Sequence, residues 1–158
     1  MKKKKIIILV LTIVLLLIDQ ISKIIVTNSL SIGESKNVID GFFSFNYVQN
    51  TGAAWGMLSN GSFILAILSA IFLIFFIKYI IDLKKLSMFS VINFSLLLAG
   101  IMGNMLDRFI RGFVVDFFDF VVFSYDYPVF NVADIFIVVG IILLLINMFI
   151  EGDYNDSK

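Results

Sequence analysis

Two carboxylates held close together in a poorly solvated place cannot both ionise easily, so they come to share one proton. One then serves as general base toward a water molecule, and the other, still protonated, donates to a substrate carbonyl. Asp116 and Asp134 are the best placed pair for that chemistry in this chain. Asp116 follows a polar helix end and a glycine turn, Asp134 lies in the opening turn of an apolar helix, and the segment between them can fold the two together. The arrangement calls for no metal, no cofactor and no covalent intermediate. It also suits a composition with neither histidine nor cysteine. Their absence excludes a Ser-His-Asp triad, histidine-ligated zinc or haem, a thiol nucleophile, disulfides and iron–sulfur clusters.

Other polar residues gather around this pair. Asp19 and Lys23 are four apart, on one face of a helix. Asn104, Asp107, Arg108 and Arg111 follow the spacing i, i+3, i+4, i+7 and share one helical face. Asn131 and Asp134 are three apart. A plain alternative is that these are interfacial ion pairs, Asp19–Lys23 and Asp107–Arg108, neutralising each other and snorkelling to water. That account fits a single pair better than the whole cluster, because Asp116 and Asp134 have no basic neighbour in sequence and several amides accompany them. Asp119 and Asp126 read as solvated or sheet-edge acids, and Glu34 and Asp40 as loop acids. Asp82, Glu151, Asp153 and Asp156 fall away from the cluster. A Ser22–Lys23 dyad is a poor competitor, since helical neighbours point about 100° apart. Asn93 and Asn147 read as helix–helix contacts or membrane-end residues.

The elements that position this cluster must lie in a membrane. Of 158 residues, 60% are apolar and only 15% charged, against about 45–50% and 25% in soluble domains. A bilayer core about 30 Å thick takes about 20 helical residues to cross. Four stretches meet that length, at about 6–26, 61–81, 86–106 and 131–150. The N-terminal run of lysines before an apolar stretch resembles a signal peptide. The length of that stretch, and Asp19 and Lys23 where a cleavage site would stand, point to a retained first helix. The expectation is a single multi-pass membrane domain over residues 1–158, all-α in its spanning part.

Lysine placement sets the orientation. Eight of the twelve basic residues, Lys2 to Lys5, Lys78, Lys84, Lys85 and Lys158, fall on one side if both termini are cytoplasmic. The polar cluster then lies at the outer face. The two outer segments, about 27–60 and 111–130, are β-prone, and their Phe, Tyr and Trp residues suit the headgroup zone. They are expected to pair into a small sheet on the membrane surface. Ala99 and Gly103 form a small-residue face that lets helices approach. Residues 50 to 56 form a small-residue loop with two readings, a close approach for an extended peptide or a tight turn at the bilayer edge. The zero net charge offers no general surface for nucleic acid.

Five short pieces together resemble a known family, the lipoprotein signal peptidases (signal peptidase II, membrane aspartic peptidases). They are Asp19-Gln20 with Lys23, Asn50-x-Gly52-Ala-Ala-x-Gly56, Gly103-Asn104-x-x-Asp107-Arg108, Gly112-x-Val114-Val115-Asp116-Phe117 and Phe130-Asn131-x-Ala133-Asp134. The resemblance implies an endopeptidase of the bacterial cell membrane. Its substrates would be diacylglyceryl-modified prolipoproteins, cut just before the lipidated cysteine. It places the catalytic aspartates on Asp116 and Asp134. Supporting residues fall on Asp19, Lys23, Asn50, Gly52, Asn104, Asp107, Arg108, Asn131 and Ala133. Trp55 stands where many members have Phe, and Ala99 where glycine is frequent. A single chain holds every one of these residues, so a working monomer surrounded by membrane lipid is expected. Two other readings compete: a small four-helix transporter or channel subunit using its intramembrane carboxylates, and a non-catalytic membrane assembly factor. The one-sided polar cluster argues against a transport path, which needs polar groups near mid-depth and access from both sides.

Overall fold

The structure is a computed structural model that describes residues 1–52 and 61–151, with side chains through residue 147. The expectations for residues 53–56, Trp55 included, and for the charged side chains from Glu151 onward lie outside the described residues. In chain order the elements are α1 (Lys2–Ser29), β1 (Ser35–Ile39), β2 (Phe43–Asn50), α2 (Ser62–Asp82), α3 (Met88–Arg111), β3 (Val114–Val122), β4 (Tyr125–Asp126) and α4 (Val132–Glu151). Helices α1, α2 and α3 are long and apolar enough to cross a membrane, and α4 is apolar over its described stretch Val132–Asn147.

Helix α3 is the hub, packing against α1, α2 and α4. Over its most apolar window 61% of α3 is buried, against 17% for α1 and for α2. The outer helices therefore turn most of their Ile, Leu and Phe side chains away from the protein, as lipid-facing helices do, while α3 spends its surface on neighbours. Small residues make this possible. A Cβ at Gly100 would run into the Ala133 carbonyl and the Ile137 side chain, and one at Gly103 into the Asp19 carboxylate. The close approach thus falls on Gly100 and Gly103. Ala99, beside Gly100, is fully buried, and on α4 a Cβ at Gly140 would run into the Leu97 side chain. Asn93 links α3 to α4: turned so that its nitrogen donates to the Gly140 carbonyl (2.8 Å), its oxygen accepts from the Leu144 amide (3.2 Å).

Two helix boundaries differ from the apolar runs. Helix α1 already includes Lys2 to Lys5, and α3 continues to Arg111 rather than ending at residue 106. Hydropathy marks the edge of an apolar stretch, but a helix continues as long as its polar residues find partners. The α3 helix ends at Gly112, whose φ of 81° is a left-handed cap that favours glycine. At the opposite end of the bundle Lys4 Nζ donates to the Leu86 carbonyl (2.5 Å) and Lys5 Nζ to the Ile81 carbonyl. These bonds tie the start of α1 to the carbonyl-rich end of α2 and the following turn.

The two β-prone segments pair as expected. The strands form one antiparallel sheet in the order β1-β2-β3-β4. Strand β3 turns into β4 through Phe123 and Ser124, both with positive φ (50° and 63°), as a two-residue primed hairpin turn requires. Val26 at the end of α1 packs with Tyr47, Val115 and Phe117, seating the sheet on the helices. The β2–β3 register sets Asn50 opposite Val114 and Val48 opposite Asp116.

Candidate active site

Asp116 and Asp134 reach the same place from different elements. Asp116 sits in β3, whose first four residues are buried. Asp134 lies in the first turn of α4. There Asn131 and Asp134 cap the helix reciprocally: the Asp134 amide donates to Asn131 Oδ1 (3.0 Å), and the Asn131 amide donates to Asp134 Oδ2 (3.1 Å). This is the capping-box arrangement, built here from Asn and Asp. It holds one oxygen of the Asp134 carboxylate, Oδ2, through local sequence.

Two asparagine amides then connect the two acids, and a third holds Asp116. Asn131 Nδ2 donates to Asp116 Oδ1 (2.6 Å) and to Asn104 Oδ1 (3.1 Å). Asn104 Nδ2 donates to Asp134 Oδ1 (2.7 Å). Asn50 Nδ2 donates to Asp116 Oδ2 (2.9 Å), while its oxygen accepts from the Gly52 amide (2.9 Å). Each carboxylate is therefore oriented by donors on both oxygens. Burial, and next the nearby charge of Asp134, push the Asp116 carboxyl up to about 7, against the opposing hydrogen bonds of Asn50 and Asn131 and the charge of Lys23. A carboxyl in that position holds its proton at neutral pH about as often as it releases it.

Both acids line a cavity of about 630 Å³. Asn50, Gly52, Asn104 and Arg108 share its polar wall, and Tyr127, Pro128, Val129, Phe130, Ile137 and Val138 contribute its less polar side. Arg108 Nη2 donates to the Gly52 carbonyl (3.0 Å) and Nη1 to the Asn104 carbonyl (3.3 Å). Arg108 thereby ties the 50–52 segment to α3. The wall from Tyr127 to Phe130 carries no titratable group except a tyrosine, so residue chemistry alone did not mark it. Its one signal was Pro128, the sole proline in the chain.

Below this layer lies a buried charge network. Lys23 Nζ is 3.0 Å from Asp19 Oδ2 and 2.9 Å from Asp107 Oδ2, and it donates to Asn104 Oδ1 (3.1 Å). Lys23 and Asp19 are wholly buried and Asp107 nearly so. Asp19 Oδ1 accepts from the Ala133 amide (2.9 Å), capping α4 from α1. This departs from the plain alternative of interfacial ion pairs in two ways. The Asp19–Lys23 pair faces inward rather than snorkelling. Asp107 pairs with Lys23 and Arg111, not with Arg108. Helical neighbours diverge in direction, so Arg108 points to the cavity while Asp107 points into the bundle. Ser22 Oγ donates to the Asp19 carbonyl (2.6 Å), and no Ser–Lys dyad forms.

Among the remaining acids, Asp119 is not free in solvent. It is half-buried and accepts from Asn46 Nδ2 (3.1 Å) and Ser44 Oγ (3.3 Å), on the sheet face opposite Asp116. Asp126 is exposed in the short strand β4. Among the described residues no group of histidine, cysteine or acidic side chains is arranged to hold a metal.

Comparison with known proteins identifies the family and supports the fold. The family model described as Signal peptidase (SPase) II matches residues 11–150. The lipoprotein signal peptidase of Staphylococcus haemolyticus (strain JCSC1435) is 40% identical over 158 residues, covering 99% of this chain and 100% of that protein. The one from Staphylococcus aureus (strain bovine RF122 / ET3-1) is 37% identical over 140 residues, 89% of this chain and 86% of that protein. A bacterial membrane enzyme solved by the in meso method at 2.3 Å resolution superposes with a TM-score of 0.84 at 34% identity, over 96% of this chain and 92% of that one. A second, at 1.9 Å, gives a TM-score of 0.81 at 35% identity, over 92% and 94%. None of these matches supports a transporter or channel subunit. The chain belongs to the signal peptidase II family of proteases.

Proposed function

We propose that this chain is an aspartic endopeptidase of the bacterial cell membrane. It removes the signal peptide from diacylglyceryl-modified prolipoproteins, cutting just before the lipidated cysteine. The observation that carries the reading is the joining of Asp116 and Asp134 through Asn131 and Asn104 at one cavity. With one proton between them, the ionised carboxylate takes a proton from a water as its oxygen attacks the scissile carbonyl carbon. The protonated carboxylic acid donates to the carbonyl oxygen. Collapse of the tetrahedral diol breaks the C–N bond, and a proton passes to the departing cysteine nitrogen.

The four helices are read as four crossings, with both termini cytoplasmic and the dyad near the outer face. The lysine distribution supports that orientation. The family's substrate fits it as well. Acyl chains hold a lipidated cysteine at the lipid–water boundary, and the signal peptide before it is an apolar helix within the bilayer. The cavity joins a polar wall to an apolar side, which suits a bond at that boundary. Asn50, Gly52 and Arg108 bind or align the extended peptide. Asp19, Lys23, Asp107, Asn104, Asn131 and Ala133 hold the dyad in place. One chain supplies every group, so the monomer is the working unit.

The test is cleavage of a lipidated model prolipoprotein by purified protein in detergent with no metal added. Time-dependent cleavage before the cysteine, lost in Asp116→Asn and in Asp134→Asn, is the expected result. Cleavage that survives either substitution removes the dyad assignment.

A further inference from the structure

Arg111 lies outside the cavity wall, and it interrupts the motif pieces rather than belonging to one. We propose that Arg111 is a positioning residue for Asp116, acting through Asp107. The proposal rests on the reading of Asp116 as one of the two acting carboxylates.

Arg111 closes the last turn of α3 and is 24% exposed, while Asp107, one turn earlier, is 1% exposed. Arg111 Nη1 donates to Asp107 Oδ1 at 2.6 Å, the shortest contact Asp107 makes. Gln20 Nε2 reaches the same oxygen at 3.3 Å. The other oxygen, Oδ2, faces Lys23 Nζ at 2.9 Å and accepts from the Val115 amide at 3.3 Å. Val115 immediately precedes Asp116. Between Asp107 and Val115 the chain leaves the helix at Gly112 and enters β3 at Val114. One buried carboxylate therefore fastens the last turn of α3 to the backbone beside Asp116.

Arg111 decides how that carboxylate is turned. With a strong donor on Oδ1, the plane of the group is set and Oδ2 stays on the Val115 amide. Without Arg111, only the long Gln20 contact holds Oδ1. Lys23, already paired with Asp19, then draws the carboxylate toward itself and away from Val115. The start of β3 keeps its pairing with β2 but loses its tie to α3, and Asp116 shifts against Asn131. Misplacement of a reacting group by 1 Å can cost about 10²-fold in rate, so a shift of a few tenths of an ångström is worth several-fold. Substrate affinity should hardly change, because Arg111 takes no part in the cavity wall.

The experiment compares Arg111→Gln, Arg111→Lys and Asp116→Asn, with kcat and KM for a lipidated model substrate. The Val115 amide resonance is followed in protein labelled with ¹⁵N-valine, and thermal midpoints are recorded alongside. Arg111→Gln is expected to lower kcat roughly five- to tenfold, leave KM within twofold and move the Val115 resonance. Arg111→Lys, which keeps the charge but not the fork, is expected to recover part of both changes. Wild-type kcat in Arg111→Gln, a raised KM at unchanged kcat, or an unmoved Val115 resonance overturns the proposal. If Arg111→Gln does not fold, Arg111→Lys carries the test, and wild-type kcat with an unmoved resonance there overturns it. Asp116→Asn separates the two levels. If it still cleaves, the dyad reading fails. If it is inactive while Arg111→Gln behaves as wild type, only the role of Arg111 fails.

Discussion

The two ends of the helix bundle are built on different principles. At one end, Ile8, Leu73, Ile80, Leu86, Val91, Phe94 and Leu98 form a core with no charge in it. Phe76 meets Phe94 edge to face there, with ring centroids 5.6 Å apart. The chain is secured at that end by lysines donating to helix-end carbonyls. At the other end the interior is Asp19, Lys23, Asp107, Asn104 and Asn131, linked from one hydrogen bond to the next. Apolar packing tolerates repacking, since it depends on volume more than direction. A buried polar network does not, because any group left unpaired costs its full desolvation. The apolar end is therefore expected to govern stability alone, and the polar end stability and chemistry together.

The sharpest way to break that contrast is at the dyad. Asp116→Asn and Asp134→Asn should each lower kcat by about 10²- to 10⁴-fold while the protein still folds and elutes as wild type. Loss of the folded protein instead would mean that the dyad is structural. Next in size is Lys23→Met, which leaves Asp19 and Asp107 facing each other without their shared cation. Removing one partner of a buried ionic network typically costs about 3–5 kcal/mol. A thermal midpoint close to wild type would show that the network contributes little.

A smaller effect comes from pH. Asp116 is raised from 3.8 to about 7 mainly by burial; in the proposed mechanism it supplies the pair with its proton, so kcat should fall as pH rises through about 7. Asn50 donates to the charged form of Asp116. Asn50→Ala should therefore move the alkaline limb to higher pH. A limb that stays in place or moves down would contradict the geometry. The same group affects stability with a definite sign. Between pH 3.8 and about 7 the folded carboxyl keeps a proton that the unfolded one has released. Its contribution to stability falls across that window and is level above it. Thermal midpoints of Asp116→Asn should lack this slope.

The smallest catalytic effect belongs to the apolar end. Phe94→Ala opens a cavity among aromatic neighbours and should lower the thermal midpoint by several degrees. With the site a bundle length away, kcat should stay within about twofold. A large loss of kcat there would mean that the two ends are coupled.

Much of the candidate site was legible because helical spacing and cost act locally. Asn104, Asp107, Arg108 and Arg111 fall on one side of α3 by periodicity, and charges expensive in a membrane do cluster. The partner of each charge was not legible. Asp107 and Arg108 are adjacent in sequence yet diverge, and the cations that reach Asp107 come from α1 and from one turn later in α3. The β character of the two strand-forming segments could be read from their residues, but their register could not. A shift of one residue would turn every side chain of the strand to the other face. It is the register that brings Asn50 to Asp116.

The residues by themselves determined the apolar helices, the polar cluster, the chemistry that a chain without histidine or cysteine has left to it, and the pairing of Asp116 with Asp134 as the candidate for that chemistry. Those conclusions follow from composition and from the local geometry of a helix or strand. Tertiary structure alone decided that Lys23 is an interior cation rather than a surface one, which groups Gly100, Gly103 and Gly140 each meet across the helix contacts, and that one asparagine, Asn131, bonds both to Asp116 and to the asparagine that holds Asp134. Each of these depends on contacts between residues far apart in the chain. Such contacts are selected by packing and by the need to satisfy every buried polar group at once, and no local pattern encodes that.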